Sequence, residues 1–263
     1  MAELAAYFGI GLVVGFLSGL LGIGGGIVIV SSLAILYTAH AFPPAYVMHL
    51  ALGSSMACIV LSSIASFRTH DKHGAVDWHV VRSVTPGLVV GVMGGVLIAR
   101  ASSTALLKYF YLAFTVFVTL QWLLNLKPKP SRELPGRNGL AGFGIFMGVI
   151  AGLFGGGGAV VGVPFMTWCN QSMHRAIGTV AALGFPIAII GTLGYIAAGW
   201  NAPDMPAWSL GFVYLPAVVG ISSMSMITAR WGARTAHRLK GNTLRRIFAV
   251  VLVALAAKVA LSV

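Results

Sequence analysis

The sequence predicts an all-α, polytopic membrane protein made of two inverted-topology repeats of about five apolar segments each. Three observations support this prediction: long uncharged apolar runs, a glycine-rich motif that occurs twice, and the distribution of basic residues over the loops. From Leu4 to Phe67 there is no Asp, Glu, Lys or Arg. One membrane-spanning helix needs about 20 residues, so this run has room for about three. A removable signal peptide is not expected, because no short apolar stretch with a cleavage site stands alone at the start.

Ten apolar segments divide evenly between the predicted repeats. The first repeat is residues 1–126, the second is residues 138–263, and the linker 127–137 joins them. The segments are predicted at 4–21, 24–39, 46–67, 79–99 and 106–125 in the first repeat, and at 139–154, 158–170, 176–198, 208–229 and 244–262 in the second.

A glycine-rich interruption falls inside apolar sequence at the same place in each predicted repeat. It covers residues 15–26 in the first repeat and residues 148–158 in the second. Lipid offers no hydrogen-bond partners, so a broken helix must lie inside protein or along a water-filled cavity. Paired interruptions of this kind point to the binding site of a secondary transporter. We therefore expect glycine-broken helices, or re-entrant hairpins, near the bilayer midplane.

The similarity between the halves extends beyond the glycines. Residues 48–54 read Met-His-Leu-Ala-Leu-Gly-Ser, and residues 173–179 read Met-His-Arg-Ala-Ile-Gly-Thr. Trp78 and Trp208 also correspond. These matches indicate that the two halves are homologous.

Charge predicts the orientation. The loop 68–77, the linker 127–137 and the loop 230–246 are basic, whereas the loop 199–207 contains Asp204 and no Lys or Arg. Basic loops tend to stay in the cytoplasm. The three basic segments are therefore predicted to be cytoplasmic in a bacterial inner (cell) membrane, with both termini outside. An odd number of segments per half then inverts the second repeat.

The helix starts after the two interruptions predict a site for a small anion. A helix start presents free N–H groups and a partial positive charge, and glycine lets a ligand approach the backbone closely. An alternative is that the glycines serve only close helix packing and that the hydroxyls bond to their own helix. The candidate substrate-binding residues are the glycines and nearby hydroxyls Ser18, Gly22, Gly24, Gly25, Gly26, Ser54, Ser55, Gly155, Gly156, Gly157, Gly158 and Thr179.

Two histidines occupy equivalent positions in the halves. His49 and His174, the latter followed by Arg175, are candidates for gating or proton handling. The alternatives are an interfacial histidine that is hydrogen-bonded to a loop, and an arginine that anchors a helix at the headgroups. The five carboxylates all lie in predicted loops or termini, so an intramembrane carboxylate relay is not expected.

Composition argues against other classes of protein. The formal charge of +12 comes from basic residues in loops, which argues against nucleic-acid binding. Cys58 and Cys169 lack metal-ligand spacing. We predict no enzyme activity, catalytic residue, metal or cofactor. The expected partners are a small anionic substrate and the lipid bilayer, and assembly as a homodimer is an open alternative.

The glycine motif and one loop resemble a known family. Residues 17–22, Leu-Ser-Gly-Leu-Leu-Gly, the echo of this motif in the second half, and residues 74–78, Gly-Ala-Val-Asp-Trp, resemble the TauE/SafE, or sulfite exporter, family. The resemblance implies an inner-membrane exporter of a small sulfur-containing anion such as sulfite, sulfoacetate or a related organosulfonate. We expect a secondary transporter that works by alternating access. The alternative is a permease or channel for another small anion, such as a carboxylate or sulfate. Ala151 and Ala159 replace Ser18 and Gly26 in the second half, so the half-sites differ chemically.

Overall fold

The computed structural model describes residues 2–21, 25–124, 131–156, 158–236 and 241–262. In this part of the chain there are ten α-helices and one short β-hairpin. The elements are α1 (Ala2–Leu21), α2 (Gly26–Ala39), α3 (Val47–Lys72), α4 (Trp78–Ala101), α5 (Thr104–Leu123), α6 (Arg137–Phe154), α7 (Ala159–Trp168), α8 (Met173–Gly199), β1 (Ser209–Leu210), β2 (Val213–Tyr214), α9 (Leu215–Ala236) and α10 (Gly241–Ser262).

Five of the described helices are long and apolar enough to cross a membrane, as the predicted helical membrane protein requires. They lie at Val47–Lys72, Trp78–Ala101, Thr104–Gln121, Arg137–Phe154 and Met173–Gly199. Shorter apolar helices occupy the remaining predicted segments. The α7 helix has ten residues and so extends about 15 Å, roughly half the thickness of a bilayer's hydrocarbon core.

One predicted segment, 208–229, is wrong at its start. Trp208 has a φ of 68° and Gly211 a φ of 53°, and neither value fits a right-handed helix. The chain instead forms the β1–β2 hairpin, in which Ser209 pairs with Tyr214. The α9 helix begins only at Leu215, and Pro216 fits there because the first turn of a helix needs no N–H partner.

The two longest helices, α3 and α8, form an antiparallel pair. A Cβ atom added at Gly53, near the start of α3, would lie 3.0 Å from the Cβ of Tyr195, near the end of α8. Further along, a Cβ at Gly184 would lie 4.0 Å from the Cβ of Ser63. The start of α3 therefore lies beside the end of α8, and the start of α8 beside the end of α3.

The helices α4 and α6 are packed backbone against backbone. A methyl group at Gly87 would collide with the carbonyl oxygen of Ala141, and one at Gly91 with that of Ile145. The contacts advance by four residues on both helices, so α4 and α6 run parallel. On α6, the glycines that face the backbone of α4 are Gly144, Gly148 and Gly152. Small residues permit such close approach, as they do between membrane helices in general.

The helices α1 and α9 make an equivalent pair. A methyl group at Gly11 would lie 2.7 Å from the carbonyl oxygen of Ile221, and one at Gly15 would collide with Ser225. These contacts again advance together, so α1 and α9 run parallel. In both pairs, a helix from the first half of the chain packs against a helix from the second half.

The helices α6 and α7 fold back on each other. Phe143 of α6 stacks on Phe165 of α7 with ring centroids 3.6 Å apart. The backbone amides of Ser131 and Arg132, which precede α6, donate to the carbonyl oxygen of Trp168 at the end of α7. The α6–α7 unit is therefore a hairpin that starts and ends on one side of the protein, with the glycine-rich break at its tip.

Candidate substrate site at the glycine breaks

The two glycine breaks meet inside the protein. We call Gly25–Gly26 the first tip and Gly155–Gly156 the second tip. A Cβ atom added at Gly26 would lie 3.5 Å from both the carbonyl oxygen of Gly155 and the Cα of Gly156. In the described residues, the two glycine-rich interruptions therefore lie next to each other.

The backbone at both tips has a conformation that suits glycine. Gly25, Gly155 and Gly156 have φ values of 64°, 76° and 137°. An L-residue rarely adopts such angles, so a side chain at these positions would strain the backbone. The positive φ at Gly155 also ends α6 and lets the chain turn back into α7.

The tips contact the central α3–α8 pair. A Cβ added at Gly26 would lie 3.1 Å from the Cδ1 of Ile59, midway along α3, and one at Gly156 would collide with that atom. A Cβ at Gly158 would lie 2.7 Å from the Cδ1 of Ile187, midway along α8.

The second tip also reaches toward the start of α3. A Cβ at Gly155 would lie 3.2 Å from the Cα of Leu52, in the second turn of that helix.

The helices that start at the breaks have no side-chain caps. Gly25 precedes α2 and Gly158 precedes α7, and neither N-cap residue supplies a side-chain acceptor for the first N–H groups. The first residues of α2, Gly26 to Val28, are buried. The first N–H groups of a helix have no partner within it, so a buried start needs a cap, water or a ligand. A small anion would satisfy these groups.

Basic side chains stay away from this region in the part of the chain whose side chains the structure describes. Every described Lys or Arg is exposed or half-buried, and none is buried. An anion between the tips would therefore depend on backbone N–H groups and neutral hydroxyls rather than on a buried cation.

Hydroxyl groups hold the first turn of α2 in place. The Ser55 Oγ donates to the carbonyl oxygen of Gly26 at 3.4 Å. The Tyr111 hydroxyl donates to the carbonyl oxygen of Ile27 at 2.6 Å and pairs with the Ser31 Oγ at 2.7 Å. Ser55 thus lies at the first tip, and its predicted role in substrate binding stays a prediction. Tyr111 was missed, because a lone tyrosine in an apolar segment carries no sequence signal for this contact.

Ser54 and Thr179, two further predicted hydroxyls, accept hydrogen bonds from the backbone of other segments. The Ser54 Oγ accepts the backbone N–H of Tyr214 at 2.9 Å, and the Thr179 Oγ1 accepts that of Asp77, also at 2.9 Å. Ser54 is near the start of α3 and Thr179 near the start of α8, so the antiparallel pair places them at opposite ends.

Four predicted site residues are only partly described or not at all. Gly22, Gly24 and Gly157 lie outside the described residues. Ser18 lies within α1, but only its helical backbone is described.

The two equivalent histidines have different surroundings. His49 is buried, its Nε2 lies 2.9 Å from the carbonyl oxygen of Ala99, and its ring lies 5.0 Å from that of Phe212. Among the described atoms its Nδ1 has no hydrogen-bond partner. His174 and Arg175 are exposed in the first turn of α8. The predicted role of these three residues in gating or proton handling remains a prediction.

Similar proteins establish the class of this protein and then its family. Relatives over nearly the full length define a membrane transporter rather than an enzyme. The chain belongs to the TauE/SafE sulfite exporter family, because the family model "Sulfite exporter TauE/SafE" matches residues 7–259. This confirms the resemblance that the glycine motif indicated. No solved structure matches the chain significantly.

Two relatives illustrate the match. A protein of Haemophilus influenzae named "Probable membrane transporter protein" is 36% identical over 250 residues, which are 94% of this chain and 94% of the relative. A protein of Xylella fastidiosa with the same name is 26% identical over an alignment of 268 positions, which covers 97% of this chain and 94% of the relative. The similarity therefore covers both halves.

Proposed function

We propose that this membrane transporter exports a small sulfur-containing oxyanion, such as sulfite, sulfoacetate or a related organosulfonate. The anion binds between the first and second tips and leaves the cell across the inner membrane by alternating access. The single observation that carries this proposal is the meeting of two glycine breaks beside helix starts without side-chain caps, of which the start of α2 is buried. The first N–H groups of a helix suit an oxyanion because they are donors at the positive end of the helix dipole.

The packing of the helices supports an inverted repeat as part of the proposal. In an inverted repeat, α1 corresponds to α6, α3 to α8 and α4 to α9. The parallel pair α1–α9 then corresponds to the parallel pair α6–α4. The antiparallel pair α3–α8 consists of two corresponding helices. A twofold axis between the repeats produces this correspondence. With an odd number of crossings per half, the axis lies in the membrane plane.

The orientation follows from charge. We propose that the linker 127–137 and the segment 230–246 face the cytoplasm, where basic segments are retained. The predicted loops are shorter than expected, because α3 extends to Lys72, α9 extends to Ala236 and α10 begins at Gly241. The segment 68–77 lies on the same side, because the parallel helices α4 and α6 both start there. The β1–β2 hairpin and the two termini then face outward. An anion that leaves in this direction gains from an inside-negative potential, at about 2.3 kcal/mol per charge and 100 mV.

Counterflow in liposomes tests this function. Purified protein is reconstituted and loaded with sulfite, and exchange is measured with sulfoacetate, sulfate and acetate as competitors. We expect saturable exchange that sulfite or a sulfonate blocks and acetate does not. Exchange of acetate or sulfate instead would replace the sulfur-oxyanion assignment with another anion. Unsaturable flux without counterflow would indicate a channel.

A substitution at the tips tests the site itself. In Gly26→Val the added methyl groups fill the space between the tips, where even a Cβ would lie 3.5 Å from Gly155 and Gly156. We expect exchange to fall at least tenfold while the protein still elutes as a single peak. Gly94→Ala is the matched control, because a Cβ there meets only Val149 Cγ2 at 3.9 Å. Wild-type exchange by the Gly26→Val variant would refute the site.

A further inference from the structure

We propose that the dipeptides Gly53–Ser54 and Gly178–Thr179 are two latches, one at each end of the α3–α8 pair. Each latch holds the protein closed at its own end and must release when that end opens. The proposal rests on alternating access, as stated above, and adds which contacts break on each side.

The first latch joins α3 to the segment that leads into α9. The Ser54 Oγ accepts the backbone N–H of Tyr214 at 2.9 Å and the hydroxyl of Tyr37 at 3.2 Å. Gly53 lies so close to the carbonyl oxygen of Phe212 that a methyl group there would collide with it. Ser54 is fully buried, so water does not compete for these bonds while the latch is closed.

The second latch joins α8 to the segment that leads into α4. The Thr179 Oγ1 accepts the backbone N–H of Asp77 at 2.9 Å. A methyl group at Gly178 would collide with the carbonyl oxygen of Ala75. Asp77 directly precedes α4, just as Tyr214 directly precedes α9. The same Gly-hydroxyl dipeptide thus makes the same contact in each half.

The latches act at opposite ends because α3 and α8 are antiparallel. Ser54 lies in the second turn of α3 and Thr179 in the second turn of α8. In a membrane-crossing pair, these positions are near opposite faces of the bilayer. One latch can therefore open while the other stays closed, as alternating access requires.

Each latch is connected to one tip. The α9 helix packs backbone against backbone on α1, which leads to the first tip. The α4 helix packs in the same way on α6, which ends at the second tip. At these glycines the backbones of the two helices are in direct contact. We therefore infer that α9 moves together with α1, and α4 together with α6. Release of a latch frees one pair from the α3–α8 pair and allows its tip to move relative to the other.

The strength of a latch suits a reversible step. Each is centred on one side-chain hydroxyl that accepts a backbone N–H, and the Ser54 hydroxyl accepts that of Tyr37 as well. Loss of a single hydrogen bond changes a conformational equilibrium by about two- to tenfold. Such a bond biases the closed form and still breaks during turnover.

Thiol labelling can measure the release of each latch separately without knowledge of the substrate. Cys58 lies one turn beyond Ser54 on α3, and Leu183 lies one turn beyond Thr179 on α8. Both side chains are buried, with exposed fractions of 3% and 2%. The first reporter is native Cys58 in a Cys169→Ser background. The second is Leu183→Cys in a Cys58→Ala and Cys169→Ser background. The rate of labelling by a membrane-impermeant maleimide is measured in nanodiscs.

We expect Ser54→Ala to raise the labelling rate of Cys58 about two- to tenfold and to leave the second reporter unchanged. Thr179→Val should do the reverse, because valine keeps the shape of threonine without the acceptor. Ser62→Ala and Thr192→Val are controls, since these hydroxyls bond only to carbonyls of their own helices. Neither control should change either rate.

Two outcomes would overturn the latches: both variants accelerate both reporters equally, or neither variant accelerates its own reporter. A liposome assay on the same proteins keeps the two proposals apart. Selective labelling together with no sulfur-oxyanion exchange would support the latches and refute the substrate. Sulfur-oxyanion exchange without selective labelling would support the substrate and refute the latches.

Discussion

Replacing Gly91 by alanine should separate α4 from α6. Gly91 lies at the centre of the parallel α4–α6 contact, where an added methyl group collides with the carbonyl oxygen of Ile145 and comes within 2.9 Å of its Cα. Both of these atoms belong to the backbone, so no change of rotamer can relieve the overlap. The whole helix has to shift.

The size of the effect follows from this geometry. Overpacking a well-packed core costs about 1–3 kcal/mol, and a clash with backbone belongs at the upper end. Gly94 on the same helix supplies the comparison, because a Cβ there meets only Val149 Cγ2 at 3.9 Å. At that position alanine should gain about 0.5–1 kcal/mol from its better helix propensity. The two alanine variants should therefore differ by about 2–4 kcal/mol in free energy of unfolding.

Thermal unfolding of the purified protein measures this difference. For a chain of this length, 1 kcal/mol corresponds to about 2–4 °C, so Gly91→Ala should melt about 5–15 °C below Gly94→Ala. A second matched pair on α6 is Gly148→Ala, which would lie 2.5 Å from the carbonyl oxygen of Leu88, and Gly142→Ala, which meets nothing within 4 Å. Equal melting temperatures within both pairs would show that the helices are not in backbone contact.

Two further substitutions test contacts around the latches and the tips. Asp77→Ala removes the carboxylate that accepts the N–H groups of His79 and Val80 at the start of α4. This variant should lose about 1 kcal/mol of stability, whereas Asp77→Asn should keep most of the stabilisation by the cap. Equal melting temperatures of the two variants would contradict the cap. Tyr111→Phe removes the hydroxyl that donates to Ile27 and pairs with Ser31, and should cost about 1–3 kcal/mol because buried partners are left unsatisfied. An unchanged melting temperature for that variant would show that water replaces the hydroxyl.

Much of the fold could be predicted because it depends on local sequence. Long apolar runs, divided by glycine-rich and charged stretches, indicated all ten helical segments. The runs of glycine at residues 24–26 and 155–158 marked where helices break. The start of α9 could not be predicted, because positive φ values at Trp208 and Gly211 depend on the hairpin that these residues form.

The roles of single glycines were beyond sequence reasoning. Gly15 and Gly148 belong to the duplicated motif together with the tip glycines, yet they face α9 and α4. A sequence does not show which helix lies against a given face, so packing glycines and tip glycines look alike. Gly15 and Gly148 therefore serve close helix packing, and the ligand-site reading of the tip glycines stays a prediction. The contacts of Ser54 and Thr179 likewise depend on loops from distant parts of the chain.

The packing of α1 and α4 against helices of the second half has a consequence for biosynthesis. As the ribosome releases the first half, α1 and α4 enter the membrane before their partners α9 and α6 exist. Each then exposes a groove of bare backbone to lipid, with glycines where side chains would normally cover it. The nascent protein must pass through a stage in which all its early helices are inserted but its tightest contacts are still unmade. Quality-control proteases would meet the chain at this stage, so a mutation in the second half can determine whether the first half survives.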